Sequence, residues 1–363
     1  MAPLRFAISR FASDGLGVGP WDPPQPLSQR TPPAHCDVLV VGAGITGLAV
    51  ALSLANRQRE VVVLEDAFGT GATSRSGGIV IGETAVGPAP GFDGCEQTLR
   101  QWIVASGIRC DLAWNGCLEL ARDLTLSARP IDWRDGGSIR MAAEVPGGVL
   151  DPAKLLTGFA NVVSQAGVPI VDGVTVHSVE GGSGEIRLKT SRGMLGARQV
   201  VMAIDATGWK EAFDPWEERS ITAALQTTAV ESDALAAIGL QQDQAFYTRD
   251  QPFLWGRVML DRSLLIGREL LPFPWGEAHD ALTELMTAAG VRLLSRIRGL
   301  HPAMSALGAR RIWGGPIGRT VAGVPTVVRD PDYPQLIWAG GYGGHGLAQA
   351  FRLGTMVGDY LTS

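Results

Sequence analysis

Gly42-Ala-Gly44-Ile-Thr-Gly47 sets three glycines in the pattern GxGxxG. The first suits a tight turn, the second lets a phosphate approach the backbone, and the third lets a helix lie close against a strand. Ile45 and Thr46 would open that helix, whose N-terminal amides favour negative charge. Glu65 lies 23 residues beyond Gly42, at the end of an apolar run, with Asp66 beside it as a second candidate. A carboxylate there can accept from ribose hydroxyls and disfavours a 2′-phosphate. The chemistry this implies is dinucleotide binding, and NADP is disfavoured.

The flanking elements fit that chemistry. Asp37-Val-Leu-Val-Val41 is an apolar run of the kind buried on both faces of a parallel sheet. A helix is predicted from about Thr46 to Asn56 and a second strand over Glu60 to Leu64, which makes a βαβ unit. Val38 to Ala55 holds no charge over 18 residues, enough on length alone for a membrane span, but its glycines and strand-then-helix texture argue against one. Gly69 to Gly94 reads as a glycine-rich loop and Cys95 to Gly107 as a helix. Asp151-Pro152 marks a helix start with proline in the first turn, and the helix extends to about Ala166. Strands are predicted at Val168 to Val171, Val174 to Val179, Ile186 to Thr190 and Val200 to Ala203. Strand text dominates from Thr222 to about Arg268, a helix follows from Ala278 to Arg298, and the chain ends in strand, glycine loop and helix.

This order predicts an α/β fold, a Rossmann-like nucleotide domain with an inserted antiparallel-sheet α+β substrate domain. The nucleotide domain would comprise 35–94, 148–220 and 311–363, and the substrate domain 95–147 and 221–310. Residues 1–34, with seven prolines and no continuous apolar run, read as a mobile Pro-rich tail, and the sequence predicts a cytoplasmic protein. The net charge of −5 provides neither the basic footprint of a nucleic-acid binder nor a polybasic membrane arm. Four cysteines lack CxxC pairs or a nearby His at zinc spacing, so no metal is expected and the thiols read as reduced. GxxxxGK[ST] and HExxH are absent, and Gly181-Gly-Ser-Gly-Glu185 lacks the last glycine of GxSxG.

Two further motifs carry a resemblance. Gly71-Ala-Thr-Ser-Arg75-Ser-Gly77-Gly78 is similar to the GASGRNGG segment of the D-amino-acid oxidase superfamily of FAD-dependent amine and amino-acid oxidoreductases. Gly340-Gly-Tyr342-Gly-Gly344-His345-Gly346 resembles that family's C-terminal GxSGHG loop. Asp151-Pro-Ala-Lys154 resembles its helix start before a further FAD-binding strand, and Val200 to Ala203 through Gly208 its strand and loop over the nucleotide. The nearest resemblance is to glycine/sarcosine oxidase-like and γ-glutamylputrescine oxidoreductase-like members, from about residue 36 onward. It implies FAD, and noncovalent FAD, because no cysteine lies near Trp313 to Arg319, where covalently flavinylated sarcosine oxidases carry one. The implied reaction is oxidation of a C–N bond by hydride transfer to flavin N5, giving an imine that hydrolyses. The electron acceptor is O₂ or another acceptor. An NAD-dependent dehydrogenase and a non-catalytic dinucleotide-binding regulatory protein are the alternatives.

The candidate cofactor-binding residues follow from these motifs. Thr73, Ser74, Arg75, Ser76, Gly77 and Gly78 form the loop after the βαβ unit, in which a planar cation with polar neighbours suits phosphate or flavin-edge contacts. Ser76 stands where the family usually has Asn. Gly341, Tyr342, Gly343, Gly344, His345 and Gly346 precede a helix whose N-terminus could stabilise reduced flavin, and Val176, Ala203, Gly208 and Gly315 complete the set. The candidate catalytic residues are His345, as a flavin-tuning group or a base, Tyr342, which could bound the substrate cavity or be a core tyrosine, and Arg257. Arg257 and Arg268 could bind a substrate carboxylate or carbonyl, and Trp255 and Trp313 could wall the cavity. In some relatives a basic residue lies two positions beyond the His-Gly pair; Gly346-Leu-Ala348-Gln349 has none.

Overall fold

A computed structural model describes residues 14–27, 30–122, 131–181, 184–207, 215–273 and 279–362. Gly208 lies outside them. Strand His35–Val41 pairs in parallel with Val61–Leu64 on one side and Gly193–Met202 on the other. Leu336–Gly340 adds in parallel to Gly193–Met202, and Ile170–Val171 adds to Val61–Leu64. Thr326–Arg329 closes one edge antiparallel, and the hairpin Val176–Gly181 with Ile186–Thr190 extends Gly193–Met202. The chain thus enters this sheet three times. Helix Ile45–Ala55 is apolar nearly all round because helices cover it on two sides. Gly354 of the last helix, Gly346–Thr362, lies directly on Ala49 and Val50, where any side chain would collide.

A second eight-stranded sheet runs in the order Ala309–Arg319, Glu218–Ala229, Ser263–Pro272, Trp255–Val258, Ala245–Thr248, Cys117–Ala121, Ser138–Val145, Trp133–Arg134. All its pairs are antiparallel except Ala245–Thr248 with Cys117–Ala121. Helix His279–Leu300 buries Leu293, Ile297 and Leu300 against it. A short ribbon, Ile79–Ile81 with Gly147–Val149, lies apart from both sheets. Helix Pro152–Gln165 starts where Asp151-Pro152 predicts it. The Asp151 carboxylate accepts from the Ala153 and Lys154 amides at 2.9 and 3.0 Å, a cap of about 1 kcal/mol.

Two findings differ from the sequence reading. Helix Cys95–Ala105 buries Cys95, Leu99 and Ile103 in the core of the first sheet, on the nucleotide side of the boundary read at residue 95. Trp102 of this helix meets Phe351 of the C-terminal helix and Phe159 of helix Pro152–Gln165, ring centroids 4.8 and 4.3 Å apart, and these contacts far along the chain account for the placement. The proline-rich stretch read as a mobile tail is packed over residues 14–27: Leu16 is fully buried, Pro24 is buried, and Leu27 packs on the first core. No helix among the described residues is long and apolar enough to cross a membrane, and all four cysteines are free.

Candidate active site

A cavity of about 510 Å³ runs between the two sheets, within the size range of cofactor and ligand sites. At its first-sheet end Gly42 adopts φ +104°, and a Cβ there would lie 2.6 Å from the Ala203 carbonyl oxygen. Only glycine satisfies both constraints. Gly44 caps helix Ile45–Ala55 and opens toward the cavity, where an added methyl would meet only Thr73 Oγ1, at 3.3 Å. Gly47 does not line the cavity; a Cβ there would overlap the Gly42 carbonyl, which is the helix-on-strand role read from the motif. Glu65 lines the cavity and accepts from the amides of Ala43 (2.6 Å), Asp66 (2.9 Å) and Ala67 (3.2 Å). Burial raises its carboxyl pKa despite those bonds.

The loop Gly71 to Gly78 forms the adjoining wall. Thr73 Oγ1 accepts from the Ile45 amide at 3.3 Å, tying this loop to the glycine turn. Ser74 is buried, and its hydroxyl oxygen has no hydrogen-bond partner among the described residues. Arg75 lines the cavity, but Nε donates to the Gly314 carbonyl (2.6 Å) and Nη2 to the Gly17 carbonyl (2.5 Å). Burial lowers its pKa from the usual arginine value. Gly77 faces the Trp255 ring at a distance that excludes any side chain, and Trp313 Nε1 donates to the Arg75 carbonyl at 3.0 Å. Both tryptophans line the cavity.

The C-terminal loop supplies Tyr342 to Gly346. The Tyr342 hydroxyl is 2.7 Å from Thr46 Oγ1, and burial raises its pKa above the ordinary phenol value. His345 sits edge-on to Phe253, centroids 5.1 Å apart, with Nδ1 3.3 Å from the Gly343 carbonyl. Desolvation pulls its pKa down to about 4, so the ring is neutral at pH 7. Asp205, which the motif reading missed, accepts from the Gly341 amide (2.8 Å) and the Gly318 amide (3.2 Å). It therefore joins the end of a first-sheet strand to the glycine loop and to strand Ala309–Arg319, and burial pushes its carboxyl upward. The second sheet contributes Ser220, Thr222, Tyr247, Trp255, Arg268 and Gly315, and the adjoining loop Gln251, Pro252 and Phe253. The Tyr247 hydroxyl donates to Glu83 Oε2 at 3.0 Å. Arg319 lines this end, ion-paired with Glu218 and 3.3 Å from Gln251 Oε1. Nothing in the sequence pattern singled out Gln251 or Arg319.

A family model described as FAD dependent oxidoreductase, DAO, matches residues 37–360. The chain belongs to the DAO family of FAD-dependent oxidoreductases. A glycine oxidase of Bacillus licheniformis is 21% identical over 90% of this chain and 92% of its own. The gamma-glutamylputrescine oxidoreductase of Escherichia coli K12 is 22% identical over 90% and 83%. The crystal structure of glycine oxidase from Geobacillus kaustophilus superposes with TM-score 0.68 at 18% identity, covering 91% of this chain and 94% of that one. The sequence reading of family, fold class and FAD agrees with these findings, and the NAD-dependent and non-catalytic alternatives are set aside.

The residues present fit the DAO-family cofactor. The glycine turn leaves room for a phosphate, Gly71 has nothing within 4 Å of where a side chain would start, and the buried Ser74 hydroxyl on the wall lacks a partner. Several sequence candidates lie elsewhere. Val176 is buried in the core of the first sheet, and Asp66 accepts from Thr175 Oγ1. Gly341 stands behind the wall, its amide on Asp205. Arg257, read as catalytic, does not line the cavity. It is 4% exposed, with Nη1 donating to the carbonyls of Leu150 (2.7 Å) and Gly78 (3.3 Å), and burial lowers its pKa to about 10. Arg268 does line the cavity, with its guanidinium 2.8 Å from Asp135.

Proposed function

We propose that this chain oxidises a C–N bond of an amine or amino-acid-like substrate to an imine, which water then hydrolyses, using FAD held without a covalent bond. When bound, the isoalloxazine supplies the two-electron acceptor. In this reading Gly42, Gly44, Ile45 and the helix behind them hold the pyrophosphate. Glu65 accepts from the ribose, and Ser74 donates to the cofactor. Tyr342 to Gly346 border the ring. No cysteine lines the cavity among the described residues, which supports noncovalent binding. The substrate then occupies the end walled by Tyr247, Phe253, Trp255 and His345.

The observation that carries the reading is the protonation of that chamber. His345 stays neutral and both tyrosines stay protonated near neutral pH. In this reading the chamber's histidine and tyrosines supply hydrogen bonds and orientation to an amine that enters deprotonated. Similarity to a glycine oxidase and a gamma-glutamylputrescine oxidoreductase supports an amino-group substrate. The absence of a basic residue at Ala348 argues against a simple α-amino acid gripped as in sarcosine oxidase. The test is anaerobic bleaching of the purified holoprotein across a panel of primary and secondary amines, followed by readmission of air. Bleaching by one class supports the reading, and recovery in air identifies O₂ as an acceptor. FAD released on denaturation, with no amine bleaching it, refutes the amine assignment.

A further inference from the structure

Residues 14–27 precede the family match, which begins at 37, yet they lie along the loop that lines the cavity. Leu16 is buried with Met286 and Ala289 of helix His279–Leu300. The Gly17 carbonyl accepts from Arg75, and the Gly19 carbonyl from Arg311 Nη1 at 2.8 Å. Trp21 Nε1 donates to the Ser76 carbonyl at 2.9 Å, and the ring lies 5.4 Å from the Arg257 guanidinium. Pro24 packs on Gly69, and the Leu27 amide reaches the Asp172 carboxylate at 3.2 Å. The segment is a strap from the second sheet, across the back of the loop, to the first sheet.

Three carbonyls of that loop are held by donors: Arg75 by Trp313 of the cavity wall, and, from outside the cavity, Ser76 by Trp21 and Gly78 by the Leu150 amide at 2.8 Å. In a trans peptide the C=O and N–H point in opposite directions. Trp21, which does not line the cavity, therefore turns the Gly77 N–H away from the strap, on a loop whose Ser76 and Gly77 do line it. That N–H makes no hydrogen bond with another described residue. Gly77 is half-buried on the cavity wall, and beside a cofactor cavity the ligand is the natural acceptor for a backbone donor without a protein partner.

We infer that Trp21 is a positioning residue for the cofactor: by holding the Ser76 carbonyl it aims the Gly77 N–H at an acceptor atom of bound FAD. The inference rests on FAD binding by this family and not on the amine reaction. Trp21→Phe keeps an aromatic ring beside Arg257 and removes the indole N–H together with its five-membered ring, so the peptide is free to turn. The expected result is an FAD dissociation constant raised about 3- to 10-fold, the worth of one net hydrogen bond, with a displaced flavin absorption band and an unchanged melting temperature of the FAD-free protein. Arg311→Gln, which releases the exposed anchor at Gly19, should weaken FAD binding in the same direction. Leu260→Ala, exposed and remote, serves as the control. Parental affinity and spectrum in both strap variants overturn the inference. So does a fall in the melting temperature of the FAD-free protein with no change in affinity or spectrum, because that is a purely structural role. A parent protein that binds FAD but oxidises no amine refutes the proposed function alone.

Discussion

The two glycines of the turn separate cofactor binding from folding, and exchanging each for alanine makes the separation measurable. At Gly47 the backbone is helical, so alanine gains about 1 kcal/mol of helix propensity. Its methyl, however, strikes the Gly42 carbonyl, a backbone atom that cannot rotate away. Overpacking of that kind costs about 3 kcal/mol, leaving a net loss of about 2 kcal/mol and a melting temperature lower by about 4 °C. At Gly44 the geometry is reversed. The residue has φ −70° and ψ 178°, which alanine adopts freely, and its methyl meets only Thr73 Oγ1 at 3.3 Å before opening into the cavity. Gly44→Ala should leave the FAD-free protein melting within about 1 °C of the parent, because only a weak cap preference changes. It should also displace the phosphate from its amide donors. Loss of one charge-assisted hydrogen bond is worth about 1.5–3 kcal/mol, or roughly 10- to 100-fold in dissociation constant. Titration of deflavinated protein with FAD by fluorescence quenching, beside melting curves without FAD, reads both effects. Parental FAD affinity in Gly44→Ala would refute the placement of the pyrophosphate.

Arg257→Met should destabilise the protein by about 2 kcal/mol in a melting experiment, since it strips the donor from the buried Leu150 carbonyl and leaves Gly78 only the Leu150 amide, while kcat at saturating FAD stays near the parent value. His345, near 4 in the folded chain against about 6.5 unfolded, takes a proton first in the unfolded state. It should therefore withdraw up to roughly 3 kcal/mol of stability as pH falls from about 6.5 to about 4. The raised carboxyls of Glu65 and Asp205 act in the opposite sense, so the measurement is the difference between parent and His345→Asn melting curves across that window. Stopped-flow bleaching should accelerate with pH along the free amine's own ionisation, moving with the substrate's pKa when substrates are exchanged. An inflection fixed near pH 6.5 for all of them would show that His345 does titrate in the site.

The glycine turn at the first-sheet end of the cavity was legible in the sequence because its constraints are local. A glycine that must turn, one that must stay open and one that must pack are all set by neighbours within a few residues. Asp151 caps its helix for the same reason. The substrate end depends on register across the second sheet, where the parallel pairing of Cys117–Ala121 with Ala245–Thr248 has no local signature. Arg257 shows the limit. It shares a strand face with Trp255, which does line the cavity, so alternation alone favours it. Its guanidinium is stopped by the Gly78 and Leu150 carbonyls and by Trp21, all distant in the chain. Asp205 lies in a segment whose resemblance was legible, but its partners, Gly318 on strand Ala309–Arg319 and Gly341 in the glycine loop, meet it only in three dimensions.

The third entry into the first sheet has a consequence for synthesis. Leu336–Gly340 pairs with Gly193–Met202, and the following helix covers Ile45–Ala55, so a nascent chain carries a naked strand edge and an oily helix face until residues 336–362 leave the ribosome. Domains otherwise able to form from the N-terminus onward must wait here. The vitamin-derived ligand can be captured only once residues 336–362 have emerged, and stalled chains ending before residue 336 should retain none of it.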